Sequence, residues 1–310
     1  MKIAAALFAA LFAAVAVAQD KPEPAKDLVL RGDAKCTRCH DENDTSPVLA
    51  IGKTKHGTTA DLRTPTCTSC HGASEAHMNK PKEGARPSPD ITFSKTSRTT
   101  PQVRSEACLA CHQGGKRIHW KGSVHATHDL DCGSCHQIHT QFDAARDRSE
   151  QSDVCFACHK QQRAEIRRPS RHPTLEGKVI CSDCHNAHGS AGDKMLVRDN
   201  VNDTCYVCHM EKRGPFVRTH QPVQENCALC HNPHGSVHDN LLKVRAPFLC
   251  QSCHEPTSHR GGFASITGGS NNSTSSGIGI TLARSCMNCH TNVHGTNNPK
   301  DVSNERTFRR

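Results

Sequence analysis

Cysteine and histidine recur at one fixed spacing along this chain of 310 residues. The unit is Cys-x-x-Cys-His, which occurs ten times and uses all 20 cysteines. On one helical turn, residues at i, i+3 and i+4 share a face. Two thiols can therefore bond the two vinyl groups of a haem while the adjacent histidine reaches the iron. Each unit thus predicts one c-type haem. The ten predicted sites are Cys36, Cys39, His40; Cys67, Cys70, His71; Cys108, Cys111, His112; Cys132, Cys135, His136; Cys155, Cys158, His159; Cys181, Cys184, His185; Cys205, Cys208, His209; Cys227, Cys230, His231; Cys250, Cys253, His254; and Cys286, Cys289, His290.

Closely spaced cysteines also occur in disulfide frameworks and in zinc sites. Neither alternative requires a histidine directly after every second cysteine. A disulfide scaffold would scatter its cysteines more widely, and zinc ribbons pair two Cys-x-x-Cys units without adding ten histidines. The pattern therefore favours covalent haem over both alternatives.

Thirteen further histidines are candidates for the second axial position of each iron. Five attachment sites, which we call bare, have no close histidine on both sides: those that begin at Cys36, Cys108, Cys155, Cys205 and Cys250. The other five, called bracketed, have one histidine before and one after. The brackets are His56 and His77 around Cys67, His125 and His139 around Cys132, His172 and His188 around Cys181, His220 and His234 around Cys227, and His259 and His294 around Cys286.

Five brackets supply ten histidines for ten haems, so the count predicts that two imidazoles close every iron. In three brackets the trailing histidine stands only three residues after the proximal one, and we expect it to face a neighbouring haem. The assignment of each distal histidine to an iron stays open. His119, His128 and His238 are predicted non-ligands, although His119 or His128 could replace His125. Met78, Met195, Met210 and Met287 share no repeated offset and are weaker candidates.

The alternation of bare and bracketed sites predicts five two-haem modules, at about 36–77, 108–139, 155–188, 205–234 and 250–294. Residues 1–18 have a charged start, an apolar run and small residues at the end, which predicts a signal peptide before a mature chain at 19–310. Only 35% of residues are hydrophobic, so we expect the haems to supply the core. The predicted fold is a multihaem cytochrome c, mostly coil with short α-helices and little or no β-structure, in an elongated haem-stacked rod. The proline-rich segment Asn79–Pro101 is interpreted as a linker between the first two modules.

The formal net charge of +9 could suggest a nucleic-acid partner. However, the Lys and Arg side chains are dispersed instead of forming one stripe. Ten haems would also bring about twenty propionate charges, so the basic excess is better explained as compensation for those anions. We therefore do not expect binding to nucleic acid.

Three segments resemble the decahaem cytochromes of the MtrA/MtoA/PioA/DmsE family: 203–209 (DTCYVCH), 214–220 (GPFVRTH) and 227–235 (CALCHNPHG). This resemblance covers essentially the mature chain. It implies a periplasmic electron carrier threaded into an outer-membrane β-barrel partner, moving electrons between periplasm and cell exterior for metal reduction or Fe(II) oxidation. It also implies a periplasmic or inner-membrane cytochrome as donor or acceptor, and it allows an extracellular multihaem cytochrome as a third partner.

Two rival functions remain open at the level of sequence. A periplasmic shuttle that passes electrons to a reductase could have nearly the same sequence. A multihaem nitrogen-oxide enzyme would need an open iron. Nitrite reductases of this type use an attachment motif that ends in Lys, whereas all ten motifs here end in His. Hydroxylamine oxidoreductases cross-link a tyrosine to haem, whereas the single tyrosine here, Tyr206, lies inside an attachment motif. We therefore expect an electron carrier and no catalytic residues.

Overall fold

The structure is a computed structural model that describes residues 33–41, 43–44, 47–57, 63–79, 83–94, 96–254, 286–288 and 290–298. The predicted signal peptide, the attachment residue Cys289 and the candidate ligand His259 lie outside these residues.

Short helices joined by irregular segments make up the described part of the chain, as the sequence predicts. Most α-helices span four to six residues, and the longest, α3, spans nine. The α-helices are α1 (Cys67–His71), α2 (Glu75–Met78), α3 (Pro101–Leu109), α4 (Val124–Thr127), α5 (Gln151–Phe156), α6 (Lys160–Glu165), α7 (Cys181–Cys184), α8 (Val201–Tyr206), α9 (Gln221–Glu225) and α10 (Phe248–Gln251). A 3₁₀ helix of six residues spans Val48–Lys53. Single 3₁₀ turns lie at Gly115–Arg117, Trp120–Gly122, Cys132–Ser134, Met210–Lys212, Cys227–Leu229 and Cys286–Asn288.

Two further turns, Asp193–Met195 and Asp239–Leu241, are left-handed. Lys194 and Asn240 both have φ above 50°, as do the residues that follow them. Within the described residues we find no β-strand, only four isolated antiparallel bridges. The predicted fold class of short helices in a mostly irregular chain is therefore confirmed.

Few apolar side chains are buried among the described residues. They are Trp120, Phe156, Ile166, Ile180 and Leu196. Such a small set cannot offset the entropy of ordering so long a chain. A fold of this kind needs large apolar groups other than its own side chains.

The proline-rich segment interpreted as a linker packs against the first module. The Ile91 carbonyl accepts a hydrogen bond from Nδ1 of His71 at 2.9 Å, and the Pro87 carbonyl accepts one from His77 at 2.7 Å. The Asp90 carboxylate accepts a hydrogen bond from the backbone N–H of Ser74 at 2.7 Å. The segment therefore orients two of the predicted iron ligands, which its composition alone does not indicate.

Candidate haem-binding sites

Nine attachment motifs, all except the one at Cys286, fold as one helical turn. The histidine N–H donates to the carbonyl of the first cysteine at 2.9 to 3.1 Å, for example from His136 to Cys132 and from His209 to Cys205. This i to i+4 bond puts both sulfurs and the imidazole on one face, as the spacing predicts.

Bare and bracketed motifs obtain that turn in different ways. The first cysteines of four bare motifs, at Cys108, Cys155, Cys205 and Cys250, lie inside α3, α5, α8 and α10. The bracketed motifs instead begin a new short helix at their first cysteine. The bracketed turn needs a cap because its first N–H groups have no partner within the helix.

A residue that precedes the bare motif supplies that cap at two bracketed motifs. The Asp33 carboxylate accepts from the N–H of Cys67 at 2.9 Å, and the Asn202 side-chain oxygen accepts from the N–H of Cys227 at 2.7 Å. Both acceptors stand three residues before the first cysteine of the bare motif, and both are buried. These contacts fasten the two sites of one module together.

Consecutive attachment sites are neighbours in space, in chain order. Within a module the two first cysteines meet: Cys36 with Cys67, Cys108 with Cys132, Cys155 with Cys181, Cys205 with Cys227, and Cys250 with Cys286. Between modules the two second cysteines lie close enough for one thiol to raise the pKa of the other: Cys70 with Cys111, Cys135 with Cys158, Cys184 with Cys208, and Cys230 with Cys253. Each described attachment site therefore lies next to the one that follows it in the chain.

The thiols in these junctions influence each other's ionisation. The hydrogen bond with Cys108 lowers the pKa of the Cys132 thiol to about 7, and the same bond raises the pKa of Cys108. Burial raises the pKa of Cys70, and the nearby Cys111 adds to that effect. The thiolate is the reactive form of cysteine, so these shifts concern the chain before its thiols are bonded.

Nine proximal histidines each face one candidate distal histidine. The ring centroids of each pair lie 5.8 to 6.3 Å apart. A metal–imidazole bond of about 2.0 Å and about 1.1 Å from nitrogen to ring centre put two coaxial imidazoles about 6.2 Å apart. The spacing therefore fits one iron between each pair. The pairs are His40–His77, His71–His139, His112–His56, His136–His188, His159–His125, His185–His234, His209–His172, His231–His294 and His254–His220.

The pairing crosses module boundaries in a regular way. The leading histidine of a bracket faces the bare site of the next module, as His172 faces His209. The trailing histidine faces the bracketed site of the preceding module, as His234 faces His185. His77, in the first module, faces the bare site of its own module.

Hydrogen bonds from Nδ1 to backbone carbonyls orient seven of these rings. Backbone carbonyls accept from the distal rings of His77, His125, His139 and His172 at 2.7 to 2.9 Å. Carbonyls also accept from the proximal rings of His71, His185 and His231 at 2.7 to 3.0 Å. A donor at Nδ1 leaves Nε2 as the free lone pair, which is the arrangement of histidines that bind metals.

Burial supports the same protonation state. Burial is the main cause that lowers the pKa of six paired rings: His71, His112, His188, His220, His234 and His294. The neutral imidazole, which alone can bind a metal, is therefore favoured at these positions.

Histidines that were predicted as non-ligands are placed differently. His125, and neither His119 nor His128, faces His159. Nδ1 of His128 donates to the carbonyl of Val124, one turn back in its own helix. Both members of each of the nine pairs are histidines, so no methionine occupies a position in them.

In three brackets, a glycine directly after the trailing histidine allows that histidine to reach the proximal ring of the preceding module. Gly189, Gly235 and Gly295 have φ values of +98°, +142° and +136°. A Cβ on Gly235 would lie 2.1 Å from the Glu165 carbonyl oxygen, and one on Gly189 would lie 2.7 Å from that of His119. Only glycine tolerates both the backbone conformation and the close approach. The repeated His-Gly pair is visible in the sequence, but its packing role is not.

Comparison with known proteins agrees with this geometry. The doubled CXXCH motif family matches residues 172–214 and 220–259, and the NrfB-like cytochrome c-type family matches residues 67–150. A multiheme cytochrome MtrA from Shewanella baltica (strain OS185) is 41% identical over 276 residues, which cover 87% of this chain and 80% of the relative. The chain belongs to the MtrA family of multihaem c-type cytochromes.

A second relative is more distant. The cytochrome c-type protein NrfB of Haemophilus influenzae (strain ATCC 51907 / DSM 11121 / KW20 / Rd) is 33% identical over 160 residues, 45% of this chain and 70% of the relative. Membership in the MtrA family confirms the resemblance seen in the motifs and establishes covalently attached c-type haem and electron transfer. None of the described helices has the length and hydrophobicity needed to cross a membrane.

Proposed function

We propose that this protein is a decahaem electron wire in which every iron is held between two histidines. The observation that supports it best is the set of nine histidine pairs, whose spacing fits one iron each. On this proposal each proximal histidine and its facing partner are the axial ligands of one haem. The tenth haem, at Cys286, has His290 as its proximal ligand, and His259 is the one bracket histidine left for it.

Saturated iron suits conduction better than catalysis. Bound haem supplies a one-electron ferric/ferrous couple. The histidines close both axial positions, so a substrate cannot bind at the metal. Consecutive attachment sites lie beside each other in chain order, so an electron always has a neighbouring site to move to. We propose no catalytic residue.

The proposed location is the periplasm, in association with the outer membrane. The signal-peptide pattern at 1–18 predicts export, and the MtrA family relationship supports a conduit. A polar chain can cross a bilayer inside a large β-barrel, whose interior is also polar. We therefore propose a porin-like barrel as partner, a periplasmic or inner-membrane cytochrome at one end, and an extracellular multihaem cytochrome at the other.

The first experiment concerns the haems themselves. Mass spectrometry of the purified protein should give ten haems, and EPR of the ferric protein should show low-spin iron throughout. Carbon monoxide should not bind to the reduced protein. A substantial high-spin signal, or uptake of carbon monoxide or nitrite by native protein, would contradict the saturated wire and favour the enzyme.

The second experiment concerns the barrel. Proteoliposomes that contain the barrel and this protein should carry electrons from an external reductant to an enclosed dye. A matched variant, Cys181→Ala with Cys184→Ala, removes the sixth site and should still bind the barrel but transfer electrons far more slowly. If the protein neither binds the barrel nor supports transfer, and instead reduces a reductase in solution, the shuttle replaces the conduit.

A further inference from the structure

Among the bracketed sites, His136 has a different hydrogen-bond partner from His71, His185 and His231. In three bracketed sites, Nδ1 of the proximal ring donates to a neutral backbone carbonyl, as His71 does to Ile91 and His231 does to Asn240. At the Cys132 site the acceptor is a carboxylate: Nδ1 of His136 lies 2.6 Å from Oδ2 of Asp143. In the second module, the Nδ1 proton of the proximal histidine therefore meets a negatively charged carboxylate, whereas in the three other sites it meets a neutral carbonyl.

Local structure explains how the carboxylate reaches this position. In the third and fourth modules, the chain returns to the proximal ring through a left-handed turn nine residues on, at Lys194 and Asn240. In the second module, Asp143 stands seven residues after His136 and begins a turn of its own. Its other oxygen accepts from the N–H of Ala145 at 3.2 Å, so the side chain is held from two sides.

The pair is also shielded from water. The side chain of Asp143 is 18% exposed and that of His136 is 28% exposed. Partial burial reduces solvent screening, so the carboxylate acts more strongly on the imidazole than it would at the surface. A carboxylate that accepts the Nδ1 proton makes the ring a stronger donor to the metal, and stronger donation stabilises ferric over ferrous iron.

We propose that Asp143 is a tuning residue that lowers the reduction potential of the haem at Cys132, which makes the fourth site an energetic step within the wire. This inference rests on the proposed ligand role of His136. It concerns the potential of one site and adds no ligand.

Other carboxylates near the described paired rings should act less. Asp44 lies 2.7 Å from Nδ1 of His40, but the two side chains are 33% and 40% exposed, so water screens the charge more. Glu211 is 3.7 Å from His209, and Glu165 is 3.6 Å from His234, which are too long for hydrogen bonds. Asp143 is thus the shortest and best shielded of these contacts.

Asp143→Asn tests the proposal because the amide oxygen can still accept from His136 and Ala145, while the charge is lost. Spectroelectrochemical titration should show one of the ten haems shifted upward. The ferrous-to-ferric ratio of that haem at a fixed potential should rise on the order of tenfold, which corresponds to about 59 mV for one electron. Asp44→Asn should give a smaller upward shift.

Asp147→Asn is the matched control, since Asp147 is an exposed carboxylate four residues away that caps the N–H of Ser149. It should leave all ten potentials unchanged. In a background of Cys132→Ala with Cys135→Ala, Asp143→Asn should also shift nothing, because the affected haem is gone.

Two results would overturn the inference: no haem moves more in Asp143→Asn than in Asp147→Asn, or the moving haem shifts downward. EPR of the same samples separates this failure from that of the proposed function. A protein that stays wholly low-spin with unchanged potentials refutes only the role of Asp143. High-spin iron in the unmodified protein would refute the ligand assignment itself.

Discussion

Replacing His188 by Ala should remove an axial ligand from the haem at Cys132, although His188 closely follows the Cys181 motif in the sequence. His188 stands three residues after His185 in the chain, yet its ring faces His136, with 6.1 Å between centroids and 7° between ring planes. The Nδ1 atom of His188 is buried, and we expect Nε2 to bind the iron of the Cys132 site. The variant should therefore convert one haem in ten to the high-spin ferric state, about a tenth of the total iron.

Variants that lack one attachment site show which haem loses its ligand when His188 is replaced. Where the Cys132 site has been removed by alanine at both cysteines, His188→Ala should add no high-spin iron, because its target is already absent. Where the Cys181 site has been removed instead, the same substitution should still add one high-spin haem. Mass spectrometry confirms nine haems in each background, and quantitative EPR counts the high-spin centres.

The control is His128→Ala. Among the described residues, the ring of His128 pairs with no proximal ring, and its Nδ1 donates to the carbonyl of Val124. It should leave every haem low-spin. The crossed assignment would be refuted if His188→Ala opened a new haem in the background without the Cys132 site, or opened none in the background without the Cys181 site.

Two stability predictions follow from the packing. Gly235→Ala should lower the free energy of unfolding by about 1–3 kcal/mol, because the glycine has φ +142° and its added Cβ would meet a backbone oxygen. Gly122→Ala, which meets no atom within 4 Å, should leave the guanidinium midpoint unchanged. Asn202→Ala should cost about 1–3 kcal/mol, because it leaves the half-buried N–H of Cys227 without its acceptor. An unchanged thermal midpoint for Asn202→Ala would show that the cap contributes little.

The sequence predicts the attachment sites well because their geometry is local. A Cys-x-x-Cys-His unit needs one helical turn, and the described motifs form it. The bracket pattern also selects the histidines that the structure brings opposite proximal rings, including His125 over His119 and His128. Their ligand role stays a prediction until spectra test it.

The partner of each distal histidine depends on tertiary structure, so spacing alone could not assign it. His139 follows His136 by three residues but faces His71, which lies 68 residues earlier in the chain. The caps were missed for a related reason. Asp33 and Asn202 share a position three residues before a bare motif, which is a signal in the sequence, but only folding shows what that position contacts.

Two crossed histidine pairs join every two adjacent modules, including the first and second. Between the third and fourth, His172 reaches forward to the ring of His209 while His234 reaches back to the ring of His185. On the proposed ligand assignment, a chain cut there would leave one unsaturated iron on each fragment, and each iron would be open to oxygen and other small ligands. Shorter conductors therefore cannot be made by simple truncation. A designer who wants fewer haems must supply a replacement imidazole at both new ends.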